Sequence, residues 1–389
     1  MRTTMATENN NKTLNVPNLR FPEFSGEWER SSLGVVFCKV ENGLTYDPNN
    51  SEGLPVTRIE TISDRSINYK RVGYAKDDGK LSKYKMEPGD ILFSHINSLK
   101  HIGKTAYYDG EHPLYHGMNL LLLRTTNEES ARFLFYQLNT SRFLHRCQVL
   151  ANQAVNQASI NTRELKGITL HKPSIKEQIK IADFISLLDN HIATQIKIIE
   201  KLESLIKGLC SSLFDKNKYD SFVRLGDISE ITNGNSDVQD ASLSYSDGMY
   251  PFFDRSEDIK FLPEYLLDKE AIIYPGEGSE FYPRYYNGKF ALHQRCYAIY
   301  DIAPNFATRY LYFFCKTQNS YFVRNAVGST VASLRLDTFK RLNIPNIPIE
   351  LQKTYVQLLD KIETKIVDNK IVLKKYEEQK RYLLSNLFI

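Results

Sequence analysis

Apolar residues recur at alternating spacings of three and four along two long segments, one in the middle of the chain and one at its end. A seven-residue repeat of this kind puts apolar side chains on one helix face and predicts a left-handed coiled coil. Neither segment has an internal proline, so each is predicted as one helix, over residues 173–214 and 348–389. The stripe comprises Ile181, Ile185, Leu188, Ile192, Gln195, Ile199, Leu202, Ile206, Leu209 and Leu213, then Tyr355, Leu359, Ile362, Ile366, Asn369, Leu373, Tyr376, Lys380, Leu383 and Leu387.

Two polar residues, Gln195 and Asn369, interrupt the stripe near the two helix midpoints. An antiparallel pair of helices with aligned centres would bring these amides together, and a buried amide at a seam position can fix the register. The alternative is that each amide faces solvent. At the start of the first helix, Ser174 and Glu177 have the spacing of a capping box, in which each side chain bonds the other's backbone N–H.

The two helical segments are copies of one another. With Phe214 placed over Phe388, the sequences align without a gap back to Ala158 over Ala332. The similarity continues upstream, where "ARFLFYQLNTSRF" resembles "TRYLYFFCKTQNSYF" after a short insertion. An internal duplication therefore sets the order of the chain, with a globular domain before each long helix.

Short β-type runs bounded by turn residues recur in both globular parts, for example "GDILFSHI" and "EAIIYPGEG", and helical patterns follow them. The sequence thus predicts an α+β fold class, with two globular domains separated by two long antiparallel coiled-coil helices. The expected boundaries are a flexible N-terminal tail over 1–18, a first domain over 19–172 and a second over 215–347.

Composition narrows the class of protein. The 389 residues are 42% apolar, which is enough to form cores, and no apolar run is long enough to span a membrane. Five scattered cysteines, an odd number without a CxxC motif, favour reduced thiols and a cytoplasmic location. We therefore expect no contact with membranes.

Catalytic and metal-binding motifs are lacking in the sequence. No phosphate loop, nucleophile elbow or HExxH motif occurs. The histidines at 95, 101, 112 and 116 match no standard zinc spacing, so no metal site is predicted. We expect a protein without its own catalytic site or cofactor.

Basic and amide residues are concentrated in the predicted loops of both domains. Residues 281–348 contain nine Lys or Arg but only two acidic residues. Arg and Lys neutralise phosphates, and the donors and acceptors of Asn, Gln and Arg can contact base edges. The candidate DNA-binding residues are Lys70, Arg71, Asn97, Lys100, His101, Lys104, Gln153 and Asn156 in the first domain, and Arg255, Arg284, Gln294, Arg295, Arg324, Ser329, Thr330 and Arg335 in the second.

With this arrangement, nearly the whole chain resembles the specificity (S) subunits of type I restriction-modification systems. The resemblance lies in the opening "VPNLRFPEFSGEWE", in "DKEAIIYPGEGSEFYPRYYNGKFALHQRCYAIY", and in the two junctions "LKGITLHKPSIKEQIKIADFISLLDNHI" and "LRLDTFKRLNIPNIPIELQKTYVQLLDKI". The second junction departs from the first, with Leu351 in the position of Glu177.

The resemblance implies a function for each part of the chain. Each globular domain would be a target recognition domain for one half of a split double-stranded DNA sequence. The paired helices would act as a spacer ruler and dock two methyltransferase (M) subunits, and restriction (R) subunits would complete the complex. S-adenosylmethionine, ATP and Mg would bind those partner subunits and not this chain.

Two alternatives remain open at this point. The chain could be the recognition subunit of another restriction system with a bipartite site. It could also be a coiled-coil scaffold joining two protein-binding domains, which would show no salt-dependent affinity for DNA. Some apolar residues outside the stripe are either partner surface or packed on the chain's own domains, namely Phe184, Ile196, Ile198, Val367, Ile371 and Val372.

Overall fold

The computed structural model describes residues 2–3, 15–62, 66–154 and 157–389. Most of the predicted N-terminal tail, residues 4–14, lies outside the described residues. The chain forms two compact units, residues 1–194 with 373–389, and residues 195–372. The boundary between the units therefore falls inside both long helices.

The first unit combines small antiparallel sheets with short helices. Its largest sheet has four strands in the order β4-β10-β7-β9, and smaller sheets have the orders β11-β12-β8, β13-β3, β5-β6 and β1-β2. In chain order the elements are β1 (Arg2–Thr3), β2 (Leu19–Arg20), β3 (Glu29–Ser32), α1 (Leu33–Val36), β4 (Phe37–Asn42), β5 (Leu54–Val56), β6 (Gly73–Ala75), β7 (Ile91–Phe93), β8 (Ile96–Asn97), β9 (Thr105–Tyr107), β10 (Leu121–Thr125), α2 (Ala131–Leu138), α3 (Ser141–Leu150), β11 (Asn152–Ala154), β12 (Gln157–Ser159), α4 (Thr162–Gly167), β13 (Thr169–Lys172) and the long helix α5 (Ile175–Leu213).

The second unit is built around a sheet of six strands in the order β15-β20-β18-β19-β16-β17, with the pair β14-β21 beside it. Its elements are β14 (Phe222–Arg224), α6 (Leu225–Ile228), β15 (Glu230–Asn233), β16 (Tyr250–Phe253), β17 (Lys260–Leu262), β18 (Leu267–Pro275), β19 (Arg284–Leu292), β20 (Cys296–Tyr300), α7 (Thr308–Lys316), α8 (Asn319–Asn325), α9 (Leu336–Lys340), β21 (Asn343–Pro345) and the long helix α10 (Ile349–Asn386).

The two long helices contact each other within each unit. In the first unit, Lys380 Nζ lies 2.6 Å from Asp189, and the rings of His191 and Tyr376 stack with centroids 5.7 Å apart. In the second unit, Gln195 Nε2 donates to the side-chain and backbone oxygens of Asn369. Every position of the stripe found in the sequence is buried or half-buried. The heptad pattern therefore marks the apolar seam of both helices.

A buried glutamine joins each long helix to its own globular domain. Gln178 Oε1 accepts from the backbone N–H of Ser130, which precedes α2, and Gln178 Nε2 donates to the carbonyl of Pro173. Gln352 repeats this arrangement, because its Oε1 accepts from the N–H of Ala307, before α7. Its Nε2 donates to the carbonyls of Ile347 and Asn305. Both glutamines are almost inaccessible to solvent, so these bonds replace the hydrogen bonds that water would make.

The capping box predicted at Ser174 and Glu177 is not formed. The Glu177 carboxylate instead accepts from Arg20 Nε at 2.8 Å and Nη2 at 2.7 Å, and from Trp28 Nε1 at 3.4 Å. A buried carboxylate is more strongly stabilised by an arginine fork than by one backbone N–H. The second copy has the exposed Leu351 at this position. The departure between the two junctions therefore reflects an ion pair that belongs to the first unit.

The apolar residues outside the stripe fall into two groups. Phe184 is half-buried and packs edge-on against Phe21, with ring centroids 5.7 Å apart, so it belongs to the first unit's own packing. The other five are 37 to 51% exposed, and these are Ile196, Ile198, Val367, Ile371 and Val372. Only this second group remains a candidate partner surface.

Replacement of Gln352 by alanine tests the role of the buried amide. The change leaves the N–H of Ala307 and the carbonyls of Ile347 and Asn305 without their partner, so we expect a loss of about 3 kcal/mol in the free energy of unfolding. Denaturant titration measures this loss in the free energy of unfolding. Gln357→Ala, an exposed glutamine on the same helix, is the control and should change stability by less than about 0.5 kcal/mol. Equal losses for the two variants would contradict the role assigned to Gln352.

Candidate nucleic-acid interface

In the first unit, a small sheet carries two of the candidate residues in one row. The hairpin of β11 and β12, here called the recognition hairpin of this unit (residues 152–159), pairs Gln153 with Ala158, and Ala158 pairs in turn with Asn97 on β8. Directly opposed residues of neighbouring antiparallel strands project to the same face. Gln153 is exposed and Asn97 half-buried. Candidate residue Asn156 lies outside the described residues, which have a gap at 155–156.

The loop after β8 adds the basic candidates of the first unit. Lys100 is exposed, and His101 and Lys104 are half-buried. The Lys104 carbonyl accepts from the N–H of Ser94, and the N–H of His101 donates to the Ser98 carbonyl. These backbone bonds hold the loop beside the sheet that presents Asn97.

A matching hairpin is present in the second unit. Val327 pairs with Ser333, and Ser333 also pairs with Glu277, so residues 327–333 form the recognition hairpin of this unit. Gly328 has a φ of +118°, a conformation that favours glycine, and it allows the tight turn. The candidates Ser329 and Thr330 are exposed at this turn.

Both hairpins are anchored by the same main-chain bonds. In the first unit the N–H of Ile160 donates to the carbonyl of His95 at 2.9 Å. In the second the N–H of Leu334, the residue equivalent to Ile160 in the repeat, donates to the carbonyl of Gly276 at 2.7 Å. The duplication therefore extends from the helices into the candidate interface.

In the second unit, a cavity of about 480 Å³ brings together three of the predicted residues, Arg255, Gln294 and Arg295. Glu277 holds Arg295 Nη1 at 2.6 Å, although the arginine side chain is 62% exposed. The Nε2 of Gln294 donates to Asp237 at 3.2 Å. The cavity thus presents arginine and amide donors whose orientation is set by carboxylates.

Hydrogen bonds favour the charged form of one carboxylate that lines this cavity, Asp254. Burial would raise the pKa of Asp254, but hydrogen bonds from Lys260 and Ser256 lower that pKa below its ordinary value. Glu277, Asp237, Asp254 and Lys260 all line the cavity and were not among the residues predicted from sequence. The motif "GEGS" could have pointed to Glu277, because it occupies the position of "HINS" in the repeat.

Arg284 has a structural role in this unit. It is half-buried, donates to the carbonyl of Ser256 and lies over the ring of Phe253, with Cζ 6.0 Å from the centroid. Within the described residues its Nη1 is buried without a hydrogen-bond partner. Arg284 therefore holds the loop that carries Arg255.

Four other candidates lie outside the hairpins. Lys70 and Arg71 are on the turn Tyr69–Arg71, Arg324 is in the last turn of α8, and Arg335 immediately precedes α9. All four are exposed. The structure therefore brings together only part of the predicted set.

The excess of basic residues over 281–348 is smaller at the surface than the sequence suggested. Arg309 binds Asp360 and Glu363 of α10, and Lys316 lies 2.9 Å from Glu363. Arg341 is paired with Asp337. These carboxylates neutralise cations that the sequence count had treated as available for anions. The count failed because Asp360 and Glu363 lie outside the interval that was counted.

The histidines at 95, 101, 112 and 116 are not brought together in the first unit. His95 and His116 are buried, whereas His112 is 63% exposed and packs against Tyr69. No group of three or more metal-ligating side chains occurs among the described residues. Burial, together with the nearby ring of His116, lowers the pKa of His95 to about 4. Burial also lowers the pKa of His116 to about 4.

Comparison with known proteins identifies the family. The family model described as "Type I restriction modification DNA specificity domain" matches residues 25–204 and 218–375. The chain therefore belongs to the family of type I restriction-modification DNA specificity domains, which is a recognition family and not a catalytic one.

Individual relatives agree with this assignment. The chain is 40% identical, over 228 residues, to a protein named as the MjaX specificity subunit of a type I restriction enzyme from Methanocaldococcus jannaschii. That match covers 56% of this chain and 54% of the relative. The StySPI specificity subunit of Salmonella potsdam is 24% identical over 195 residues, covering 49% of this chain and 42% of the relative. The chain spans about half the length of these relatives in the matches.

Solved structures show the same fold. The S subunit of a type I restriction-modification system from M. genitalium matches with a TM-score of 0.68 at 16% identity, covering 96% of this chain and 99% of that one. A chain from a study of complex assembly and conformational transition of a type I system matches with a TM-score of 0.53 at 14% identity, covering 92% and 97%. Together with the two family matches, these likenesses confirm the predicted α+β fold class. In the part of the chain that the structure describes, no helix is long and apolar enough to cross a membrane.

The buried histidines under the first hairpin predict a loss of stability in acid. Their pKa values are about 4 in the folded protein and about 6.5 when unfolded, so the unfolded chain binds more protons as the pH falls from 6.5 to 4. At pH 5 we expect each buried histidine to lower the free energy of unfolding by about 2 kcal/mol. Denaturation at pH 7 and pH 5 measures the loss. His95→Gln should reduce it, and the exposed His145→Gln should not; a loss of equal size in both variants would refute this explanation.

Proposed function

We propose that this chain is the DNA sequence-recognition subunit of a type I restriction-modification complex, and that it recognises a bipartite target. Each globular domain would contact one half-site, and the paired helices would hold the two domains at a fixed spacing. The observation that carries the proposal is the duplication itself. One chain contains two matches to a specificity-domain family, with the same hairpin anchored in the same way in each unit.

The side chains at the two hairpins support different specificities. The first unit presents the amides of Asn97 and Gln153, which are suited to adenine edges. In the second unit Glu277, which pairs with the hairpin residue Ser333, lies beside Arg295, and hydroxyl groups are at the hairpin turn. Arginine most often contacts guanine. A common framework with unlike side chains is what two different half-sites require.

The proposed partners are two methyltransferase subunits docked on the helices, with restriction subunits in the full complex. The five exposed apolar residues on the outer faces of the helices favour such docking, because removing apolar groups from water on binding is energetically favourable. S-adenosylmethionine, ATP and Mg would be bound by those partner subunits.

Methylome sequencing of cells that carry this chain with its cognate methyltransferase tests the proposal directly. We expect adenine methylation at a motif of two short sequences separated by a spacer of fixed length. A contiguous motif, or methylation that does not depend on this chain, would contradict bipartite recognition. DNA binding by the assembled complex that does not weaken as salt increases would indicate a protein scaffold instead.

Arg295→Ala tests recognition by the second domain. Loss of an arginine that contacts a base should cost about 1–3 kcal/mol in binding, roughly 10- to 100-fold, at one position of one half-site. Binding of the methyltransferase complex to a panel of half-site variants measures the effect, with Arg341→Ala as the control. Relaxed preference in both half-sites together would exclude independent recognition by the two domains.

Deletion of seven residues from each long helix, at facing positions, tests the spacer role. One heptad shortens a helix by about 10 Å, which corresponds to roughly three base pairs of duplex. We expect a shorter preferred spacer with unchanged half-site sequences, as measured by methylome sequencing. An unchanged spacer with altered half-sites would refute the ruler.

A further inference from the structure

A groove of about 970 Å³ in the first unit lies along α3 and the two-stranded sheet β3–β13. These elements are different from the recognition hairpin and from the loop after β8. The groove is rich in cationic and imidazole side chains, contributed by Arg30, Arg142, Arg146, His145 and His171. Its lining also includes the acidic Glu164 and the last residue, Ile389. With Glu164 counted, the three arginines still leave an excess of positive charge.

The three arginines of the groove have no carboxylate partner. Among the described residues Arg30, Arg142 and Arg146 form no ion pair, in contrast to Arg295 and Arg309 of the second unit. Arg146 donates to the carbonyl of Thr169 at 2.6 Å. The groove is therefore an uncompensated basic surface.

All three arginines act electrostatically on one residue, His171. Burial lowers the pKa of His171, and the charges of Arg30, Arg146 and Arg142 lower it further. Arg30 lies directly opposite His171 in the β3–β13 pair, and Arg142 and Arg146 are one helical turn apart on α3. All three arginines therefore line one groove around His171.

The fold itself does not need cations at these positions. In the second unit the pair β14–β21 repeats β3–β13, and there Phe222 lies opposite Pro345. Pro345 is equivalent to His171 in the repeat, so Phe222 corresponds to Arg30. The basic groove is thus a property of the first unit and not of the shared framework.

We propose that this groove binds phosphate groups of the DNA backbone and gives the first domain a second, sequence-independent contact with DNA. The strong cations are all arginines, whose planar forks match phosphate oxygens in a bidentate way. The inference rests on the proposed function, which brings a polyanion to this unit. An acidic segment of a protein partner is the competing occupant, and the experiment below separates the two.

The test compares the salt dependence of DNA binding by the complex assembled with its methyltransferase subunits. Arg30→Ala with Arg142→Ala removes two exposed groove cations that make no ion pair among the described residues. The control, Arg163→Ala with Lys76→Ala, removes two exposed cations of the same unit outside the groove. Each lost phosphate contact lowers the slope of log K against log salt by about 0.9. We expect the groove variant to lower the slope by about 2, with half-site preference unchanged and the control close to wild type.

Each outcome decides between the alternatives. A groove variant with the wild-type slope overturns the inference while the proposed function stands. A groove variant that assembles poorly with the methyltransferase subunits but keeps the wild-type slope would show that the groove docks protein, which also overturns it. Salt-independent binding by the wild-type complex would refute the proposed function itself. Arg30→Lys with Arg142→Lys retains the charge and should restore most of the slope.

Discussion

The structure of each unit depends on a buried side-chain amide. Gln178 and Gln352 each bind the chain that enters a long helix and also the backbone that precedes a domain helix. An amide has both a donor and an acceptor, so one residue can satisfy both segments at once. An apolar residue of similar size would leave several main-chain groups buried and unpaired, which is costly in a dry interior. This bond fixes where a globular domain sits on its own helix.

Charges around the two amides differ, although the amides themselves are the same. The first unit adds the fork of Arg20 on Glu177, and the second adds the ion pairs of Arg309 with Asp360 and Glu363. The first pair is buried and the others are partly buried, and a buried pair is sensitive to the loss of one partner. The duplicated framework has therefore been stabilised separately in each half.

Local patterns in the sequence were sufficient for the helices but not for the candidate interface. The heptad stripe and the repeat predicted both long helices, because their periodicity depends only on near neighbours along the chain. The true partners of Glu177, Arg284 and Arg309 could not be found in this way. Their contacts join residues far apart in sequence, and the choice between a local cap and a distant arginine is decided by packing. Charge counts failed at Arg309 for the same reason, whereas Gln294 and Arg295 are exposed and remain candidates for contact with DNA.

A main-chain bond holds each hairpin at its base, from Ile160 to His95 and from Leu334 to Gly276. Such bonds are indifferent to side-chain identity, since every residue except proline carries the same N–H and C=O. Apart from Gly328, whose positive φ favours glycine, amino-acid changes at the turn of the second hairpin would therefore alter ligand binding more than folding. Under the proposed function, a lineage could alter the target of one domain while the other domain continued to bind its original sequence.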